Sequence, residues 1–333
     1  MSRHARNRWT LRSLMRVCTG LLAAVAACPN LAVASSPACV STASRPTAAP
    51  RILHAIDEAR RQHQLFGGQT IERSGGLFRA GYHEAEWDRP AQESTPTWAR
   101  VADFWRSLSE LDPPVLMTSS GRVPRAEAAP APVGAGSAPT RAEVAVSEAL
   151  LRAAIVDTPW SAAFISYLMK TAGFSRAEFG FSDNHADYVQ AAFDTSTAEA
   201  AGLERVDAFR ACDVATTRPR AGDLLCATRA AAAGTVKFAG LAAAIAAARA
   251  AAQSFPMHCD LVVRADAGGD AKLEVIGGNV VQSVTLSRMS LNAAKLLGRS
   301  HFASMTPGCA RSRSACGESL NRRPWVVLLQ YRH

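Results

Sequence analysis

Thr158-Pro159-Trp160-Ser161-Ala162-Ala163-Phe164-Ile165-Ser166-Tyr167-Leu168 is the stretch on which the reading of this chain turns. Thr158 has the side chain of an N-cap, and Pro159 has the fixed φ of a first helical position. Trp160, Phe164, Tyr167 and Leu168 follow at i, i+4, i+7 and i+8, the apolar stripe of a helix that packs into a core. Ser161 falls in the first turn. There the backbone N–H groups lack intrahelical acceptors and the helix dipole presents its positive end. A nucleophile's developing anion, or an oxyanion, is stabilised at such a place. Ala162 and Ala163 leave room for the helix to approach a sheet closely.

Toward the C-terminus, Pro219-Arg220-Ala221-Gly222-Asp223-Leu224-Leu225-Cys226 reads as a turn entering a strand. His258-Cys259-Asp260-Leu261-Val262-Val263 reads as a strand that His258 begins. Leu273-Glu274-Val275-Ile276 leads through Gly277-Gly278-Asn279 to a further strand over 280–286. With three helices expected before these strands, the region takes an α+β form, helices segregated from an antiparallel sheet. Asp223 suits tying down backbone N–H groups rather than acid/base chemistry. The alanine-rich run 230–253, with Phe238, Leu241 and Ile245 on one face, predicts a plain helical insertion. His185 and Tyr188 share one face of a short helix capped by Ser182 or Asp183, a pair suited to substrate contact or to serving as an alternative base.

Toward the N-terminus, Ile52, Ala55, Ile56 and Ala59 predict a helix closed by Phe66-Gly67, and Trp98, Val101, Trp105 and Leu108 predict another over 97–108. The polar, glycine-rich segment 67–96 between them reads as a loop packed over something. These helices bury too little to stand alone, so 51–112 reads as a helical arm on a main domain spanning 141–333. Residues 113–140, with an Ala/Pro/Gly tract, read as a flexible insertion, and 35–50 as a disordered lead-in.

The first residues hold five arginines and no acid, then an apolar run from Val17 to Ala27, then Ala32-Val33-Ala34. Residues 1–34 therefore read as a secretory signal, since a permanent span needs roughly 20 apolar residues. Val25-Ala26-Ala27-Cys28 offers a competing lipobox, in which Cys28 would carry a lipid and anchor the protein to the envelope. Either cut leaves 32 basic against 28 acidic side chains, lowering the net charge from +9 to about +4. Most of the basicity belongs to the targeting segment, so nucleic acid is not an expected partner. Either cut leaves six cysteines to act as thiols or disulfides, Cys39, Cys212, Cys226, Cys259, Cys309 and Cys316. An exported chain suggests disulfides, and although sequence does not choose among the 15 pairings that six cysteines allow, proximity suits Cys309 with Cys316, and Cys226 with Cys259 would join two predicted strands. No CxxC pair with zinc spacing exists, and no metal or cofactor is expected. The sequence carries no signal for oligomeric state.

The order of these pieces resembles the NlpC- and CHAP-type papain-like cell-wall hydrolases. Their pattern is a helix-borne Trp-Cys-Ala-Ala-Phe, a Pro-x-x-Gly-Asp-Leu strand, a strand led by His, and a polar residue on the next strand. Here these are Trp160 to Phe164, Pro219 to Leu224, His258 to Val263, and Asn279. From Arg51 onward the chain also looks like the bacterial family catalogued as domain of unknown function 2272. The papain-like resemblance implies Ser161 as nucleophile, His258 as general base and Asn279 as the residue orienting the imidazole, with Asp260 as the other candidate orienter. Trp160, His185, Tyr188 and Asp260 then line a substrate site. The departure is Ser161, which stands where those enzymes carry cysteine. A cysteine there is already a thiolate, whereas a serine must give up its proton to a base within reach. The resemblance implies an envelope amide hydrolase acting on peptidoglycan peptides or related amides. The rival is an inactive papain-like module that binds peptidoglycan, a peptide or an envelope partner.

Overall fold

The computed structural model describes Cys39 and residues 49–108, 116–118, 121–123, 140–303 and 319–332. The signal segment, Cys28, Cys309, Cys316 and most of the Ala/Pro-rich insertion lie outside the described residues.

Two helices come first, α1 (Pro50–Leu65) and α2 (Thr97–Arg106), with the short strands β1 (Thr70–Ile71) and β2 (Leu77–Arg79) between them. A separate hairpin, β3 (Leu116–Thr118) and β4 (Gly121–Val123), precedes α3 (Arg141–Asp157), α4 (Ser161–Thr171) and α5 (His185–Ala200). Then follow β5 (Phe209–Asp213), β6 (Leu224–Thr228), α6 (Phe238–Ala250), β7 (Met257–Ala265), β8 (Lys272–Val280), β9 (Ser283–Ser290) and β10 (Trp325–Tyr331).

Local chemistry accounts for most of these boundaries. Thr140 caps α3 in a reciprocal box with Glu143. Thr158, expected to start α4, instead ends α3 with φ −114° and ψ 113°. A residue before proline is pushed out of the helical region, so Pro159 breaks the chain there and α4 begins at Ser161 with Trp160 at the cap position. Asn184, rather than Ser182 or Asp183, caps α5 by accepting the Ala186 N–H at 3.2 Å. The Ser182 hydroxyl is committed to the Asp187 carboxylate at 2.6 Å. In the alanine-rich run Gly234, at φ +72°, separates a short turn from α6, so that helix starts at Phe238.

Eight strands form an open sheet in the order β2-β1-β9-β8-β7-β6-β10-β5. The sheet was expected to be antiparallel, and one pair departs from that: β1 runs parallel to β9. The segment read as a loop supplies β1. Gly67 and Gly68, at φ +79° and +74°, turn the chain out of α1. The Gln69 side chain then locks it, donating to the Val280 carbonyl at 3.0 Å and to Thr285 Oγ1 at 2.8 Å. At the other end, the fully buried β10 inserts between β6 and β5 and extends the sheet past the strands read from sequence.

The helices cover one face. Ile52, Ile56, Phe66, Phe104, Trp160 and Phe164 belong to a single core with the sheet residues Leu224, Leu261 and Ile276. The opposite face carries a smaller cluster around Leu225, Val262, Val275, Trp325 and Leu328. Cys226 and Cys259, directly paired across β6 and β7 with Cα atoms 4.1 Å apart, form a disulfide, and a second joins Cys39 to Cys212. Among the described residues no helix is long and apolar enough to cross a membrane.

Candidate functional site

α4 meets the sheet where β8 narrows to glycine. A Cβ at Gly278 would lie 2.6 Å from Phe164 Cβ and 2.7 Å from Trp160 Cζ3, so bare backbone lets the start of α4 sit against the strand. Trp160 is fully buried, its ring 5.6 Å from Phe104 and 6.0 Å from Phe66. Its indole N–H donates to Glu84 Oε2 at 2.9 Å. Burial raises the Glu84 pKa, and the Trp160 hydrogen bond only partly opposes it. The helix start is thereby held from both sides, and its N-cap residue, Trp160, makes no side-chain hydrogen bond to its first amides.

Ser161 Oγ lies 2.7 Å from His185 Nε2. The other ring nitrogen, Nδ1, meets the Tyr188 hydroxyl. All three residues are buried, Ser161 at 4% and His185 at 3% exposure. Burial drives the His185 pKa well below the ordinary histidine value, with the neighbouring His258 and Arg229 charges adding to the shift. Burial likewise pushes the Tyr188 pKa well up, helped by Asp187 and Asp260. At neutral pH the imidazole is neutral and the phenol protonated. With its proton on Nδ1, donated to Tyr188, His185 accepts the Ser161 hydroxyl proton through Nε2, as a general base must.

A second imidazole adjoins the first. The His185 and His258 rings are 5.4 Å apart, edge to face. His258 Nε2 donates to Asp260 Oδ1 at 2.6 Å, and Arg323 donates to Asp260 Oδ2 at 2.9 Å. Gly277 admits this carboxylate, because a Cβ there would come 1.8 Å from Asp260 Oδ1. Burial lowers the His258 pKa to about 4 despite the attraction of Asp260. For Asp260, burial alone would raise the pKa, but His258 and Arg323 outweigh it and bring it to about 2. His258 Nδ1 is buried without a hydrogen-bond partner.

The structure thus joins Ser161, His185 and Tyr188 in one hydrogen-bonded row, and His258 with Asp260 in another beside it. Among the described residues, no hydrogen bond links Asn279 to His258. Asn279 sits half-buried at φ +54° in the irregularity between Gly277 and Val280, where a bulge re-aims side chains. Asp223 accepts the Arg220 and Tyr331 N–H groups at 2.8 and 3.0 Å. Two contributors carried no sequence signal, Arg323 and Glu84, because each acts through a partner distant along the chain.

No curated protein and no solved structure matches the chain. Over residues 92–331 it matches a family described as an uncharacterized protein conserved in bacteria, and the chain belongs to that family, domain of unknown function 2272.

Proposed function

We propose that this protein is a serine-dependent amide hydrolase of papain-like type, exported to the cell envelope and acting on peptidoglycan peptides or related amides. The observation that carries the reading is the buried Ser161–His185 pair at 2.7 Å. His185 Nε2 takes the hydroxyl proton as Ser161 Oγ attacks the amide carbon, and later returns it to the leaving amine. The backbone amides at the start of α4, which Trp160 does not cap, stabilise the oxyanion. His258 is the base implied by the family resemblance. Asp260 fills the orienting role expected of Asn279, and the buried Nδ1 of His258 has no hydrogen-bond partner of its own.

Hydrolysis of muropeptides by the mature protein and labelling by a fluorophosphonate, a reagent for activated serines, test this reading. Ser161→Ala should abolish both, and His185→Ala should slow both by roughly 10²–10⁴-fold, the usual worth of a general base. A full loss in His258→Ala with activity retained in His185→Ala would move the base to His258. Ser161→Cys asks whether sulfur, the nucleophile of the cysteine enzymes that the sequence resembles, improves turnover.

One observation favours the rival reading of a binding module. His258 is 0% exposed and Ser161 4%, so a substrate reaches them only if the surrounding residues move. Binding of muropeptides without turnover, unchanged by Ser161→Ala, would establish that reading instead.

A further inference from the structure

Away from Ser161, a cavity of about 380 Å3 opens between the C-terminal half of α1 and the β1–β2 hairpin. That volume is in the range of small-ligand pockets, roughly 300–1,000 Å3. Its floor is apolar, made by Val263 of β7, Ile276 of β8 and Leu286 of β9. Its walls are cationic, with Arg60, Arg79 and Arg288 set against Glu274.

The charge balance of these walls selects the ligand. Arg60 donates to the Val263 carbonyl at 2.9 Å and pairs with Asp57 at 3.5 Å. Arg288 is held by Glu72 at 2.8 Å and lies 3.6 Å from Glu274. Arg79 forms no ion pair among the described residues. Its guanidinium stands over the bare backbone of Gly68, where even a Cβ would come 3.4 Å from Arg79 Cζ. His63, on the same wall, donates through Nε2 to the Gln69 carbonyl at 2.9 Å, and burial together with Arg79 and Arg288 keeps it neutral. One uncompensated guanidinium suits a monoanion, and its planar fork suits a carboxylate taken in two parallel hydrogen bonds. A dianionic phosphate would need a second free cation. Beside Arg79 at the rim, Phe78 is 72% exposed, an aromatic surface for an apolar body that also rests on the sheet floor.

We infer that this groove binds the C-terminal carboxylate of a short apolar peptide, with Arg79 taking the carboxylate and the side chains lying between Phe78 and the Val263–Ile276–Leu286 floor. The inference does not depend on Ser161 being reactive. Calorimetric titration of the full chain with N-acetyl-alanyl-leucine, and with the same dipeptide as its C-terminal amide, tests it. The acid should bind about tenfold tighter or more, the worth of a charged hydrogen-bond pair. Arg79→Ala should erase that preference, Arg79→Lys should keep part of it, Phe78→Ala should weaken acid and amide alike, and Ser161→Ala should change nothing. Equal binding of acid and amide, no saturable binding of either, or an acid preference that survives Arg79→Ala overturns the inference. So does displacement of the peptide by inorganic phosphate at equal concentration, which would mark a general anion site. Arg79 and Phe78 are on the exposed hairpin strand, so these variants keep the core, and far-UV circular dichroism verifies it.

Discussion

His185 sits between two hydroxyls, and a single arrangement of protons leaves Ser161 ready to react: Ser161 to Nε2, and Nδ1–H to Tyr188. Tyr188→Phe removes the acceptor that favours this tautomer. We expect fluorophosphonate labelling of Ser161 to slow about tenfold or more with the melting temperature little changed; an unaltered rate would show that Tyr188 does not set the tautomer. The depressed His185 pKa also fixes the acidic limb of the labelling profile. A base must be unprotonated, so the rate should hold through pH 6.5, the ordinary histidine value, and fall only at lower pH. Stability follows the neighbouring ring. His258 titrates near 6.5 unfolded and about 4 folded, so the unfolded chain binds the extra proton between those values. The His258 contribution to stability is therefore intact above pH 6.5 and declines as pH falls to about 4, by roughly 3 kcal/mol at about 1.4 kcal/mol per unit, and buried His185, lowered in the same direction, adds to the decline. Asp260, lowered from 3.8 to about 2, continues the decline below that. Urea midpoints across this range, with His258→Asn flattening the upper part, check the assignment.

At the scale of elements, the site depends on how closely α4 and β7 approach β8. Gly278→Ala would thrust a methyl between Phe164 and Trp160, and a rigid clash of this kind costs about 1–3 kcal/mol. We expect that loss in urea unfolding, together with lost Ser161 labelling, because Trp160 and Ser161 are neighbours on one turn. The β6–β7 pair is tied by Cys226–Cys259, next to His258. Replacing both cysteines by alanine should lower stability by roughly 2–4 kcal/mol, read as a shifted urea midpoint under oxidising conditions. The helix bearing Ser161 and the strand bearing His258 were legible in sequence because helical and strand periodicities are local. The start of α4 was misplaced by two residues because Thr158 and Pro159 carry genuine cap chemistry, yet the same proline ends α3 first. β1 escaped notice because two residues carry no periodicity and its hold on the sheet comes from the Gln69 side chain.

For the whole molecule, the family match begins at residue 92, but the core begins earlier. Ile52, Ile56 and Phe66 of α1 and its end lie in the same cluster as Trp160 and Phe164, and β1 joins the sheet beside β9. A fragment of residues 92–333 should therefore expose this apolar surface, binding a hydrophobic dye and losing the cooperative thermal transition of the longer chain. A cooperative transition at unchanged temperature would make the N-terminal helices dispensable. Sequence alone determined a helix carrying Ser161 in its first turn, a strand carrying His258 near its start and an α+β layering, since each rests on spacing along a short stretch, while the Cys226–Cys259 bond, one choice among the pairings open to six cysteines, was decided by the register of β6 against β7. Which histidine touches Ser161 was decided only in three dimensions. His185 and His258 are 24 and 97 residues away along the chain, and nothing local ranks them. The ranking comes from the approach of α5 to the start of α4, from the bulge that carries Asn279, and from the missing side chain at Gly277 that gives Asp260 its place beside His258.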